Sequence, residues 1–251
     1  MHEQKFKDLN FDNWKVRASG SSKIMSKSGK ITLGVETYLK EQYNLIARGF
    51  KDDFSSKYTE KGNWKEQDNL DVISNTILKD YKFPIISNKE TKSNDYIVGT
   101  CDIYLKPIST IIDAKNNWSW KSFDDADLSE IYEYQLRSYM SIWGCESAVL
   151  FYTLLNLPDH MISDMERKMF YSENKWATME SPEYIVACDL LRENWNFEKF
   201  DIKYRYKAFA IKRDLDIEQK MFNSVKSCRV WLNEYHQKVV NDASLHSTFN
   251  L

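Results

Sequence analysis

Seven glycines and four prolines in 251 residues leave few places where this chain can turn tightly. Average usage of about 7% Gly and about 5% Pro would supply more. An all-β sandwich, which turns every few residues, is therefore disfavoured. Hydrophobic residues make up 42% of the chain and charged residues 29%. That balance belongs to a folded globular protein and not to a disordered one. The length is ample for a buried core, so neither disulfides nor a structural metal is needed to hold it. No run approaches the roughly 18 apolar residues of a membrane span. The opening residues, Met1 to Lys5, contain no apolar stretch of the kind a secretory signal uses.

The four cysteines, Cys101, Cys145, Cys188 and Cys228, stand apart with no C-x-x-C pair. A zinc ribbon or iron–sulfur cluster is not expected from that spacing, and a reducing, cytoplasmic compartment fits. The net charge is −2 and the pI about 6.1. A nucleic-acid binder often has a basic pI, so any phosphate-binding surface here must be local. The N-terminal stretch is one such place. Residues 1–31 hold seven Lys/Arg against three Asp/Glu, and within them Arg17, Ser19, Ser21, Ser22 and Lys23 form a Ser/Gly loop beside cations.

Apolar periodicity predicts a helix over 33–48 ending near Gly49, a polar loop over 50–63 and a second helix over 64–81 with Trp64, Leu70, Ile73 and Ile77 on one side. The texture changes at Asp95. Residues 96–106 and 110–116 are rich in β-branched residues around Pro107-Ile108-Ser109 and predict two strands and a turn. A helix over 128–143 stops at Gly144. Strands follow over 147–157 and 202–211, with helical pieces between them, and a long amphipathic helix runs over 215–240. The expected fold class is α/β (α+β in a strict scheme), a central mixed sheet flanked by helices. A single domain is expected, comprising an N-terminal helical region (about 1–80), a core (about 81–158) and a C-terminal strand and long helix (about 200–240).

The hairpin carries the chemistry. A turn centred between Pro107 and Ile108 sets Asp102 opposite Asp113. Side chains alternate along a strand, so Lys115 shares a face with Asp113, while Ile112 and Ala114 turn toward apolar packing. Cross-strand neighbours lie about 4.5–5.5 Å apart at Cβ, and like charges there destabilise. A divalent cation gives two such aspartates a reason to be there, since Mg²⁺ takes one or two carboxylates and keeps waters and substrate phosphates. Lys115 could then position a water and offset charge on a phosphate. The tripeptide [DE]-x-K alone says little, since it recurs at Asp80, Glu90 and Asp201. Its weight here comes from the apolar strand and the facing aspartate. On the next helix Gln135 and Tyr139 are four apart and share one face. Glu66, with Asp68 as its rival, is a candidate third carboxylate. Either one could instead be an acidic first-turn residue favoured by the helix dipole.

Five stretches in this order resemble the PD-(D/E)xK nuclease superfamily, whose core is restriction-endonuclease-like. They are Arg17-Ala18-Ser19, Lys61-Gly62 through Glu66, Gly99 through Asp102, Ile111 through Lys115, and Tyr134 through Met140. Within the superfamily, the chain is similar to the YqaJ-type viral recombinase nucleases, relatives of the phage lambda exonuclease, over most of residues 14–235. The resemblance implies Glu66, Asp102, Asp113 and Ala114 around Mg²⁺ or Mn²⁺, taken as a pair of ions, and Lys115 as the catalytic lysine. It makes Gln135 and Tyr139 the following Q-x-x-x-Y element. Cys101 departs from the pattern, which usually has proline before the aspartate. The implied activity is a metal-dependent exonuclease acting on double-stranded DNA ends in phage-type recombination or DNA processing, in the cytoplasm of a bacterial host if phage-encoded. The alternatives are a structure-specific or single-strand endonuclease of the same fold, or a DNA-end-binding module without catalysis. The implied partner is DNA. A single-strand annealing protein and a homo-oligomer lie within the family's range, and no membrane is expected. Arg17, Ser19, Ser21, Ser22 and Lys23 would receive the DNA end at its 5′-phosphate.

Other features carry two readings. Lys203, Arg205 and Lys207 alternate along an expected strand and would make one face cationic, toward phosphates or as protection of an edge. Trp118 and Trp120 could stack on a base or pack at the rim of the core. The four histidines have no metal-ligand spacing, and no G-x-x-x-x-G-K-[ST] occurs.

Overall fold

The computed structural model describes residues 2–50, 57–173 and 175–247. Residues 51–56, part of the stretch expected as a loop, lie outside the described residues. The chain opens with α1 (His2–Lys7), β1 (Val16–Arg17), a 3₁₀ turn at Ala18–Ile24, α2 (Leu33–Arg48) and α3 (Lys57–Val72), which runs on into a π-helical turn, Ile73–Ile77. Next come β2 (Lys92–Ser93), β3 (Ile97–Gly99), β4 (Ile103–Leu105) and β5 (Thr110–Asn116). Then follow α4 (Trp120–Asp124), α5 (Glu130–Trp143), β6 (Ser147–Thr153), α6 (Asp159–Glu173), α7 (Pro182–Asn194), β7 (Tyr206–Lys212) and α8 (Leu215–Ser247). The architecture is α+β, with mixed sheets flanked by helices.

Local chemistry sets the ends of the main helices. The Thr32 side chain caps α2 by accepting from the Val35 N–H, and Gly49 closes it in the left-handed conformation at φ 64°. Gly144 does the same for α5 at φ 65°. Both stops fall where glycine is read in the sequence. No described helix is long and apolar enough to cross a membrane.

Two sheets form. In the smaller, β3 is flanked by β1, parallel to it, and by β2, antiparallel. In the larger, the order is β4-β5-β6-β7, and only the β5–β6 pair is parallel. A parallel pair needs a crossover, and α4 with α5 supplies it. The first half of β5, Thr110 to Asp113, is buried, as expected of a strand covered on both faces. On one side Ile111 joins Leu136, Met140, Leu150 and α8 residues such as Val225 and Leu232 in the main core. On the other, Ile112 packs with Leu70, Ile73, Ile103 and Phe151 beneath α3.

Three expectations need correction. Residues 57–63 are helical and not loop, because α3 is a polar helix whose buried contacts include a lysine, Lys61, that hydropathy cannot flag. The strand expected over 96–106 is two strands in different sheets, broken at Thr100–Asp102. The strand expected over 202–211 begins only at Tyr206, after a 3₁₀ turn at Ile202–Tyr204. The alternating cationic face therefore does not form. Arg205 is buried and donates to the carbonyls of Phe200 and Leu154, and Lys207 donates to those of Asp124 and Ala126. Trp118 meets Trp195, and Trp120 meets Phe123, Phe197 and Phe200, which is rim packing. All four cysteines are free thiols.

Candidate active site

The β4–β5 ladder pairs Ile103 with Ile112 and Tyr104 with Ile111. That register, extended by one residue, sets Asp102 opposite Asp113, as the turn position predicts. Asp102 lies just before β4, where the ladder has ended, and the edge of β5 beyond it is open. The Ala114 N–H fills that edge by donating to Asp102 Oδ2 at 2.7 Å. A residue's N–H and C=O leave a strand on the same edge, so the Ala114 carbonyl also faces the Asp102 side. The preceding backbone is pinned as well. Asn88 donates from its side chain to the Cys101 carbonyl (2.9 Å) and from its N–H to the Asp102 carbonyl (2.7 Å).

Asp113 and Lys115 project from the α5 face of β5. Asp113 is 1% exposed. Lys115 Nζ lies 2.6 Å from Asp113 Oδ2, an ion pair in which that oxygen receives no well-directed hydrogen bond. Gln135 Nε2 donates to Asp113 Oδ1 at 3.2 Å and to the Tyr139 hydroxyl at 2.9 Å. Both residues are buried on α5, so the i, i+4 spacing read in the sequence becomes one side of the site. Tyr132, one turn earlier on α5, presents its ring 5.5 Å from the Lys115 ammonium.

The electrostatics follow from this packing. Burial raises the Asp102 carboxyl to about 7; the Asp113 charge adds to this, Lys115 and the Ala114 N–H oppose it, and Glu66 contributes a smaller upward push. Burial alone would lower Lys115, but the Asp113 and Asp102 carboxylates outweigh it and hold the ammonium charged above its ordinary range. Burial, reinforced by Asp113, keeps Tyr139 a neutral phenol.

Glu66 sits on α3, across the sheet from Lys115, and is exposed. Its charge reaches Asp102 only as a minor upward push on that carboxyl. Asp68, its rival, is engaged with Lys65 at 2.6 Å. Among the described residues no three His, Cys, Asp or Glu side chains gather closely enough to hold an ion by themselves. The oxygen donors in hand are the Asp102 and Asp113 carboxylates and the Ala114 carbonyl, with Glu66 farther off. Such a hard, incomplete set suits a cation that keeps waters and substrate oxygens, as Mg²⁺ does. A buried and a half-buried carboxylate sharing one cationic neighbour also leave negative charge for such an ion to offset.

The Arg17 element is brought alongside. β1 pairs with β3, setting Arg17 beside Val98, one residue before Gly99. A Cβ at Gly99 would fall 2.8 Å from Ala18 Cβ and 3.0 Å from Tyr139 Cε1, so glycine alone allows this approach. Arg17, Ser19 and Lys23 are exposed, Ser22 is half-buried, and Lys23 lies 5.2 Å from the Tyr38 ring. Ser21 departs from the expectation of a DNA contact. It is fully buried, and its hydroxyl is bonded to Ser138 Oγ at 2.6 Å. It locks the 3₁₀ turn to α5 instead.

Asn88 and Tyr132 were not legible as site residues. Asn88 sits in an irregular stretch without a motif, and Tyr132 reads only as an apolar helix position.

No family model and no curated protein matches the chain. Solved structures do. A phage-related exonuclease from Haemophilus somnus 129PT is similar with a TM-score of 0.66 and 23% identity, over 92% of this chain and 97% of that one. LHK-Exo, an alkaline exonuclease from Laribacter hongkongensis, is similar with a TM-score of 0.60 and 13% identity, over 96% and 98%. It has also been solved in complex with dAMP, at a TM-score of 0.60 to this chain. The chain has the fold of these exonucleases over nearly its full length.

Proposed function

We propose that this protein is a divalent-metal-dependent deoxyribonuclease that degrades duplex DNA from its ends. The observation that carries the reading is the Asp102–Asp113–Lys115 arrangement. A buried aspartate is held by an ammonium at 2.6 Å and a glutamine amide at 3.2 Å, opposite a second carboxylate that is tied to the same strand. A fold that had only to be stable gains little from opposed carboxylates. The fold shared with two exonucleases supports the same reading.

Asp102, Asp113 and the Ala114 carbonyl, with Glu66 directly or through water, would hold Mg²⁺ or Mn²⁺. Bound there, the ion supplies Lewis-acid polarisation of a phosphodiester. Lys115, held charged, orients the attacking water and offsets negative charge that grows on the phosphate. Gln135 fixes the Asp113 carboxylate through one N–H and Tyr139 through the other. Arg17, with Ser19, Ser22 and Lys23 near it, takes the 5′-terminal phosphate; a guanidinium can grip two phosphate oxygens at once. Cleavage inside a strand is the competing reading. Linear duplex and closed circular duplex of one sequence, each incubated with Mg²⁺, separate the two. The proposal expects the linear form to be consumed and the circle to persist, and loss of both forms would overturn the end-dependence.

A further inference from the structure

Helix α3 carries Glu66 between two unlike anchors. Downstream, Leu70 and Ile73 are buried against Ile103, Ile112 and Phe151, and Thr153 Oγ1 donates to Asn69 Oδ1 at 2.6 Å. Upstream, among the described side chains, Trp64 is 64% exposed and meets the His160 ring at 4.9 Å. The fully buried side chain described in this half is Lys61, five residues before Glu66. Its side chain is buried, at 1% exposure. Nζ donates to the Asn117 carbonyl at 2.6 Å and the Leu155 carbonyl at 2.9 Å, with the Trp118 carbonyl at 3.4 Å. The Phe197 and Trp118 rings lie 5.6 and 5.9 Å from the same nitrogen.

A buried amine is costly unless its donors are used, and here the acceptors are specific. Asn117 and Trp118 directly follow β5, two and three residues beyond Lys115. Leu155 lies two residues beyond β6. These carbonyls belong to the strand ends, and a side chain from another element must reach them. Lys61 does so, and it thereby joins the helix that bears Glu66 to the strand end that bears Lys115.

We propose that Lys61 is a positioning residue for the carboxylate site. Gripped by the Asn117 and Leu155 carbonyls, it fixes the N-terminal half of α3, and so Glu66, against the strand that presents Asp113 and Lys115. The inference rests on the function proposed above in taking Glu66 as part of a divalent-cation site. Lys61 acts through Glu66 and touches neither ion nor DNA.

The test compares the full-length wild type with Lys61→Met, which keeps the aliphatic stem but not the donors, and Lys61→Arg, which keeps both. Mn²⁺ affinity is measured by calorimetry without DNA, and amide hydrogen exchange is followed across residues 61–69. Removing an outer support of a metal ligand commonly costs about 10–100-fold in affinity. Lys61→Met is expected to weaken Mn²⁺ binding by about tenfold or more and to speed exchange in this segment, with Lys61→Arg restoring much of both. In a Glu66→Gln background the Lys61→Met loss of affinity should vanish, because the effect passes through Glu66. Unchanged Mn²⁺ affinity and exchange in Lys61→Met would overturn the proposal, as would a loss that persists undiminished without Glu66. If Lys61→Met does not fold, Lys61→Arg and Lys61→Gln carry the same comparison. A wild type that binds Mn²⁺ but cuts no DNA would overturn the nuclease reading and leave the positioning role standing. A wild type that binds no Mn²⁺ would overturn both.

Discussion

Lys115 and Asp113 point from the same face of one strand, and the ammonium nitrogen lies 2.6 Å from a carboxylate oxygen that is otherwise sealed from solvent. The pair defines what each residue can do. Asp113 sits directly beside a cation, and Lys115 cannot give up its proton easily with two carboxylates near it. In the proposed reaction Lys115 would thus serve as a fixed positive charge and a hydrogen-bond donor, and not as a base.

Lys115→Ala should remove turnover by about a hundredfold or more, the scale of losing a charge-stabilising donor, while duplex binding stays near normal. It should also lower the melting temperature of the metal-free protein, because a buried carboxylate loses its partner, a change that can cost about 3 kcal/mol. Gel-shift binding, initial rates and melting curves on the same preparation check this. Near-normal rates would show that the site has been misassigned.

Asp102→Asn should abolish cleavage and yet stabilise the chelated protein at pH 8. Burial and Asp113 raise the folded carboxyl from 3.8 to about 7. Between those values the folded state holds a proton that the unfolded chain has lost. Stability therefore falls as pH rises across that window. The amide carries no charge and escapes the loss. Equal melting temperatures of wild type and variant at pH 4 and again at pH 8, without metal, would contradict the reading.

Lys61 titrates in the opposite sense. Burial, with Lys65 adding to it, lowers its amine from 10.5 to about 7. Between those values the unfolded chain binds a proton that the folded state has shed, so this residue makes stability rise with pH. Urea midpoints at pH 7.5 and 9.5, compared between wild type and Lys61→Met, should show a smaller rise in the variant. Identical slopes would mean that Lys61 keeps an ordinary affinity for its proton.

Arg17 tests the DNA end. If its guanidinium receives the terminal phosphate, 5′-phosphorylated duplex should be degraded faster than 5′-hydroxyl duplex, and Arg17→Ala should erase the difference. Equal rates on both substrates with the wild type would reject the phosphate pocket and leave the carboxylate site untouched.

Much of this was legible in the sequence because the governing constraints are short-range. The turn at Pro107 and Ile108 sets the β4–β5 register, and register with strand alternation delivers Asp102, Asp113 and Lys115 to one place. Helical spacing does the same for Gln135 and Tyr139, and glycines at 49 and 144 end their helices where expected. What stayed hidden depends on tertiary contacts. Ser21 looks like a loop hydroxyl until Ser138 is placed against it. Lys61 looks like a solvated loop residue until the strand-end carbonyls close around it. The close approach of Ala18 and Tyr139 to Gly99, just before the break at Thr100–Asp102, is likewise a tertiary contact that no local propensity encodes.

The most direct test of the central claim follows nucleotide release from end-labelled linear duplex. The protein is first stripped with chelator and then supplied with Mg²⁺, Mn²⁺, Ca²⁺ or nothing. Ca²⁺ accepts looser geometry at longer distances than Mg²⁺, so it should fill the site without aligning the water. Release is expected with Mg²⁺ and Mn²⁺, binding without release in Ca²⁺, and no release in the stripped protein. Full release by the stripped protein in excess chelator would contradict it.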